Sequence, residues 1–139
     1  MKLDISPLQG AAGQLEKSLS YYHSDLARKD QGLREQFRGA CIQAFEFTFE
    51  LAYKFIRRQL AQIVPAPESL VQMAYPDLIR AAADAGLVPD VKRFLLYRDK
   101  RNVSSHTYNF KKAEAVISVL ADFLKDMRFL ISELERRNV

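Results

Sequence analysis

Residues 33–64 read LREQFRGACIQAFEFTFELAYKFIRRQLAQIV, and the spacing of their apolar side chains decides the fold class. One row runs Phe37, Cys41, Ala44, Phe47, Leu51 and Phe55, and a second runs Ile42, Phe45, Phe49, Ala52, Ile56 and Leu60. Both recur at three-and-four spacing, which lines up side chains on one face of a helix. A third row, Gln43, Glu46, Glu50, Lys54 and Arg57, is polar. A helix with two apolar rows buries more than half its circumference. In a domain this small, one row is expected to face the bundle and the other, with Phe45 and Phe49, a second copy of the chain. The alternative is that the chain's own helices cover both rows.

Working outward, Pro65 and Pro67 stop this helix, because neither can donate to the ladder. Upstream, Ser6 as N-cap and Pro7 in the first turn start a helix expected to run to Arg28, followed by a polar break containing Gly32. Downstream, a shorter helix is expected from Ser69 to Ala85, dented at Tyr75-Pro76 and stopped by Gly86. A fourth begins near Pro89, carries Val91, Phe94 and Leu95 inward and runs into residues 101–108. The last, from Lys111 to Arg137, repeats Val116, Leu120, Phe123, Met127, Leu130 and Leu134. Its roughly 40 Å length matches that of the 33–64 helix, as antiparallel partners should. The pattern predicts an all-α protein: an up-and-down four-helix bundle with one additional short helix, in a single domain over residues 1–139.

Composition agrees. The chain has 139 residues, 48% of them hydrophobic, with only five Gly and five Pro, which argues against a β-rich or loop-rich fold. The single cysteine, Cys41, sits in an apolar row and is expected to be a buried, reduced thiol. Residues 1–20 lack a basic start followed by an apolar run, and no apolar stretch approaches the length of a membrane span, so the cytoplasm is the expected location and no membrane partner is expected. A net charge of +4 mildly favours a polyanionic partner.

That charge is densest near His106. Lys92, Arg93, Arg98, Lys100 and Arg101 face only Asp90 and Asp99 within residues 90–101, and Lys111 and Lys112 follow soon after. His23, the other histidine, lies among tyrosines and charged neighbours and reads as a surface residue. An imidazole moves protons at neutral pH, and an arginine binds a phosphate bidentately. Together these meet the needs of metal-free RNA cleavage by attack of a ribose 2′-hydroxyl on the adjacent phosphate. On one continuous helix Arg101 and His106 would point about 140° apart. They converge only if the helix ends between them, as Ser104-Ser105 suggests, or if a second subunit supplies one of them. The bland reading, a helix C-terminus whose Arg and His meet the macrodipole, stays open on spacing alone. No metal site is expected, since no second histidine or cysteine pair lies nearby. Glu46 and Glu50, with Lys54 four residues on, read as a solvated polar face. No cofactor motif is present.

The segment Phe37-Arg38-Gly39-Ala40-Cys41-Ile42-Gln43-Ala44-Phe45-Glu46-Phe47-Thr48-Phe49-Glu50-Leu51-Ala52-Tyr53-Lys54 resembles the HepT-like branch of the HEPN (higher eukaryotes and prokaryotes nucleotide-binding) superfamily. Its members were long labelled nucleotidyltransferase substrate-binding proteins. Arg101-Asn102-Val103-Ser104-Ser105-His106-Thr107-Tyr108 looks like that branch's Arg-x4-His-x-Tyr signature. The two matches stand in the right order and at the right separation, and the resemblance covers essentially residues 8–137. Tyr53 departs from it, where the family often has Trp.

The resemblance implies a dimerising helical bundle in which paired Arg–His motifs cut RNA without a metal. It implies a ribonuclease toxin of a type II-like or type VII toxin–antitoxin system, whose antitoxin partner is a minimal nucleotidyltransferase that transfers AMP to the motif tyrosine. By carry-over Arg101 and His106 are catalytic, Asn102 is supporting and Tyr108 is the residue modified by AMP. Arg98, Lys100, Lys111 and Lys112 are expected to contact RNA. The alternative is a non-catalytic subunit that binds substrate or nucleotide for a nucleotidyltransferase.

Overall fold

The computed structural model describes residues 2–106 and 108–138; Thr107, inside the signature, lies outside the described residues. Among them are α1 (Ser6–Tyr22), α2 (Asp25–Lys29), α3 (Gln31–Ala61), α4 (Tyr75–Asp84), α5 (Val91–Val103), α6 (Phe110–Ile117) and α7 (Leu120–Arg137), with 3₁₀ turns at Pro67–Gln72 and Ser104–His106. The chain is all-helical. α1, α3, α5 and the α6–α7 pair form the four-helix bundle, and α4 is the added short helix. α3 is its axis and packs against every other helix.

Several boundaries differ from the sequence reading: α3 stops at Ala61, short of Val64, the helix expected from Ser69 to Ala85 is a 3₁₀ turn followed by α4 from Tyr75 to Asp84, and elsewhere a side-chain oxygen competes with the helical ladder. Ser24 accepts from the Ala27 amide (3.3 Å) and starts α2, so the first helix breaks at Tyr22 instead of running to Arg28. Asp30 accepts from the Leu33 amide (3.1 Å) and caps α3, which leaves Gly32 inside its first turn. Ser6 is not the cap of α1. It is the first helical residue, and its amide and hydroxyl both bond to Asp4. The last helix divides at Ser118, whose hydroxyl bonds back to the Ala115 carbonyl (2.7 Å). Gly86 ends α4 as expected, at φ +80°.

The two apolar rows of α3 are resolved unequally. Ile42, Phe45, Phe49, Ala52, Ile56 and Leu60 are all buried in the chain's own core, so the row expected at a partner surface is intramolecular. Phe45 and Tyr97 both meet Phe123 edge-on, at 4.8 and 5.1 Å between centroids, joining α3, α5 and α7. The other row is mixed. Cys41 and Phe55 are buried, while Phe47, at its middle, is 61% exposed. Cys41 is the buried thiol expected, and burial pushes its pKa up to about 12. His23 is exposed, also as expected.

α5, which carries the site, is fixed at its N-terminal end. Asp90 caps it by accepting from the Arg93 amide (3.0 Å). Arg93 then grips buried Asp126 of α7 with two hydrogen bonds, 2.9 and 2.8 Å, and the Tyr97 hydroxyl donates to the same carboxylate. Burial and that carboxylate push the Tyr97 hydroxyl well above its ordinary pKa. The Tyr75 hydroxyl donates to the Phe94 carbonyl (2.9 Å) and ties α4 to α5. Where the two ends of the chain meet, the Asn138 side chain donates to the Leu3 carbonyl (2.7 Å) and accepts from the Leu3 amide (3.0 Å). No helix among the described residues is long and apolar enough to cross a membrane.

Candidate functional site

α5 ends at Val103 and a 3₁₀ turn takes over, so the helix does end between Arg101 and His106. The Arg101 side chain crosses to α3. Its Nη1 donates to Glu46 Oε2 (3.1 Å) and lies 3.3 Å from Ser104 Oγ. The Ser104 hydroxyl, buried, sits 2.5 Å from Glu46 Oε2 and 2.8 Å from the Arg101 carbonyl. Arg101 Nε is 3.4 Å from Glu50 Oε1, close enough for charge attraction but misaligned for a hydrogen bond, and this buried N–H has no other partner. Glu46 and Glu50 are therefore not a merely solvated face: both carboxylates address Arg101. The clue in the sequence was an acidic pair one turn apart on the helix that the basic segment must pack against.

This ridge of Arg101, Ser104 and Glu46 separates two open hollows. One, of about 540 Å³, is lined by Glu50, Tyr53, Tyr75, Arg98, Arg101 and Asn102. Tyr53 and Tyr75 stack there at 5.6 Å, and the Arg98 guanidinium lies 5.4 Å from the Tyr75 ring centre. The other, of about 680 Å³, is lined by Glu35, Gln36, Gln43, Glu46, Ser104 and Ser105. Arg98 and Asn102 thus join Arg101 on one side of the ridge, while Lys100 is half-buried and appears in neither lining.

His106 is exposed on the turn, and its carbonyl accepts from the Asn109 amide (3.1 Å). Its ring meets Tyr108 edge-on at 6.1 Å, and Tyr108 is 86% exposed. Asn109 caps α6 by accepting from the Lys112 amide, so Lys111 and Lys112 stand exposed in the first turn beyond the motif. Among the described residues no hydrogen bond joins Arg101 to His106. Nor do three or more His, Cys, Asp or Glu side chains gather there into a group able to hold a metal ion.

An arginine that donates one hydrogen bond to a partly exposed carboxylate and one to a serine hydroxyl, beside an open hollow, can exchange that carboxylate for a phosphate without unfolding anything. An exposed imidazole on the following turn can take or give a proton.

Known proteins resemble this chain in sequence and fold. A curated Haemophilus influenzae protein named "Probable ribonuclease HepT" is 40% identical over 140 residues, spanning 99% of this chain and 95% of its own. A solved Haemophilus influenzae structure, described as the substrate binding domain of a nucleotidyltransferase, superimposes with a TM-score of 0.90 at 30% identity, covering 95% of this chain and 99% of that one. A Thermus thermophilus crystal structure matches with a TM-score of 0.69 at 26% identity, covering 91% of this chain and 98% of that one. The family described as nucleotidyltransferase substrate binding protein like matches residues 3–136, and the chain belongs to that family.

Proposed function

We propose that this protein is a metal-independent endoribonuclease, the toxin of a toxin–antitoxin pair, acting as a homodimer through Arg101 and His106. One observation carries the reading. Arg101 stands between two open hollows, loosely paired, with the exposed His106 imidazole on the turn that follows. A phosphate displacing Glu46 and Glu50 from Arg101 gains a bidentate partner that also offsets charge developing on its oxygens. An imidazole takes the ribose 2′-hydroxyl proton as that oxygen attacks phosphorus. The 5′-oxygen leaves and receives a proton, and the products carry a 2′,3′-cyclic phosphate and a 5′-hydroxyl. Two motifs facing each other would supply one imidazole for each proton, and exposed Phe47, on the same helix as Glu46 and Glu50, offers an apolar contact for the second copy. Asn102 supports Arg101, and Arg98, Lys100, Lys111 and Lys112 draw in the strand.

Tyr108 is the proposed switch. A partner minimal nucleotidyltransferase transfers AMP from ATP to its hydroxyl oxygen, releasing pyrophosphate. The side chain, 86% exposed, is accessible to such an enzyme, and the added phosphate places negative charge two residues from His106. The relative described as a substrate binding domain favours a second reading, a subunit that binds substrate for the nucleotidyltransferase without cutting anything. Incubating purified protein with single-stranded RNA and a chelator separates the two. Cleavage that leaves a cyclic phosphate and is lost in His106→Ala supports the nuclease; no cleavage, or cleavage only with a divalent metal, overturns it. AMP-sized mass gains on the wild type with the partner, ATP and magnesium, absent in Tyr108→Phe, test the switch.

A further inference from the structure

Beyond the ridge, a separate pocket of about 280 Å³ opens between α2, the first turns of α3 and the start of α6. Its wall carries three guanidiniums, Arg28, Arg34 and Arg38, and one aromatic ring, Phe110. Phe110 is 62% exposed, one face of its ring open to solvent at the pocket's mouth. Arg38 lies 5.2 Å from its ring centre and, held under the ring, is itself largely buried. Arg34 remains half-exposed, with Tyr22 beneath it at 5.3 Å.

The acidic groups nearby are few and committed. Glu114 accepts from the Tyr22 hydroxyl (2.9 Å) and sits 3.6 Å from Arg38 and 4.0 Å from Arg34. Asp25 pairs with Arg28 (3.0 Å), and Glu35 lies 3.4 Å from the Gln31 amide nitrogen. Glu35 also lines the 680 Å³ hollow that reaches Ser104 and Ser105, so pocket and hollow adjoin along α3. Phe110 is four residues from His106, at most about 14 Å of chain.

We infer that the Arg28/Arg34/Arg38/Phe110 pocket is a second RNA subsite, holding a nucleotide of the same single strand whose scissile phosphate lies at Arg101. A base stacks on the open face of Phe110, and its phosphate meets the outer guanidiniums of Arg34 and Arg28. Aromatic stacking beside basic side chains is the usual grip on single-stranded nucleic acid, and it tolerates any base. The wall shared with the hollow that reaches Ser104 favours a strand over a free nucleotide. The inference rests on the reading of this protein as acting on RNA.

The test uses His106→Ala protein, which binds without cutting, and a labelled ten-nucleotide single-stranded RNA followed by fluorescence anisotropy. Phe110→Ala should weaken binding roughly 5- to 100-fold, with Phe110→Trp restoring it. Arg34→Ala should lower the slope of log K against log salt by about 0.7, the share of one phosphate contact on a single strand. A dinucleotide spanning only the Arg101 site should bind all variants alike. The inference is overturned if the ten-nucleotide RNA binds the variants as it binds the parent, or if the dinucleotide loses as much, which would trace the effect to a disturbed motif. It is overturned equally if the variants lose affinity only for the nucleotidyltransferase, making the pocket a protein interface. Failure of the nuclease reading looks different: wild-type protein would leave RNA intact while the Phe110 and Arg34 effects on binding persisted.

Discussion

The two ends of α5 each present an arginine to carboxylates on another helix, and the two pairs are built for opposite purposes. At the N-terminal end Arg93 makes two well-aligned hydrogen bonds to Asp126, whose side chain is 5% exposed and also receives the Tyr97 hydroxyl. At the C-terminal end Arg101 makes one hydrogen bond to Glu46 and has an unsatisfied Nε near Glu50, and these carboxylates are 29% and 55% exposed. Asp126 is the buried member of its pair and losing its donors would strand a charge, whereas the partly exposed carboxylates at Arg101 can trade partners with water or an anion. The lesson is that one helix carries a pair that fastens it to α7 and, at its other end, a charged side chain free to change partners. The same interaction type is architecture in one place and a receptive site in the other.

The contrast breaks most visibly if substitutions at the two ends act alike. Arg101→Ala and His106→Ala should each lower RNA cleavage by roughly 10²- to 10⁴-fold while the helical circular dichroism and the melting temperature stay put. A comparable fall in melting temperature would mean that Arg101 is structural too. Asp126→Ala should cost about 1–3 kcal/mol of stability, since it leaves the buried Tyr97 hydroxyl without its acceptor, while half-exposed Arg93 keeps Asp90 at 3.3 Å. Cleavage per folded molecule, assayed well below the melting point, should be unchanged. A urea midpoint equal to the parent's would refute the clamp. Glu46→Gln keeps a hydrogen-bond acceptor for Ser104 but removes a charge that competes with phosphate. RNA should then bind about fivefold more tightly at low salt, roughly 1 kcal/mol for a half-exposed charge, and weaker binding would show that Glu46 orients Arg101 more than it occupies it.

The smallest effect lies far from either end. Glu133, bonded to Arg136 and also to Arg137, has its pKa lowered to about 2 from an ordinary 4.5. A depressed carboxylate stabilises the fold fully above its unfolded value. That contribution should therefore be intact above about pH 4.5 and fade as the pH falls toward 2. Glu133→Gln should flatten the acid limb of a stability–pH curve in that window alone and leave cleavage at neutral pH untouched.

Much of the bundle was legible because helix faces are local. The buried row of α3, the turn at Gly86 and the buried face of α7 all follow from spacings of three and four or from one residue's backbone geometry. What escaped was non-local. Which row of α3 stays outside depends on where α5 and α7 lie, and Phe45 is inside because Phe123, far along the chain, reaches it. The role of Glu46 is invisible in its own helix, since its partner Arg101 is 55 residues away. Asp126 also escaped, although an acid amid the apolar row Phe123, Met127 and Leu130 stands where burial demands a partner. Helix breaks at Ser24 and Ser118 were missed because serine permits a helix as readily as it ends one.

The amide of Asn138 clasping the backbone of Leu3 has a kinetic meaning. It is a contact between residues 135 apart, and closing a loop of that length costs about 4 kcal/mol of chain entropy before any reward. The α1–α3 pairing, made between near neighbours in sequence, can form long before it. The clasp is therefore expected to form late, so that Asn138→Ala should raise the unfolding rate and leave the folding rate unchanged in stopped-flow refolding. Interactions made after the barrier slow escape from the native state without hastening arrival. Asn138 is thus a latch on the unfolding rate: it prolongs the lifetime of the finished bundle and leaves the speed of its formation to the helices between.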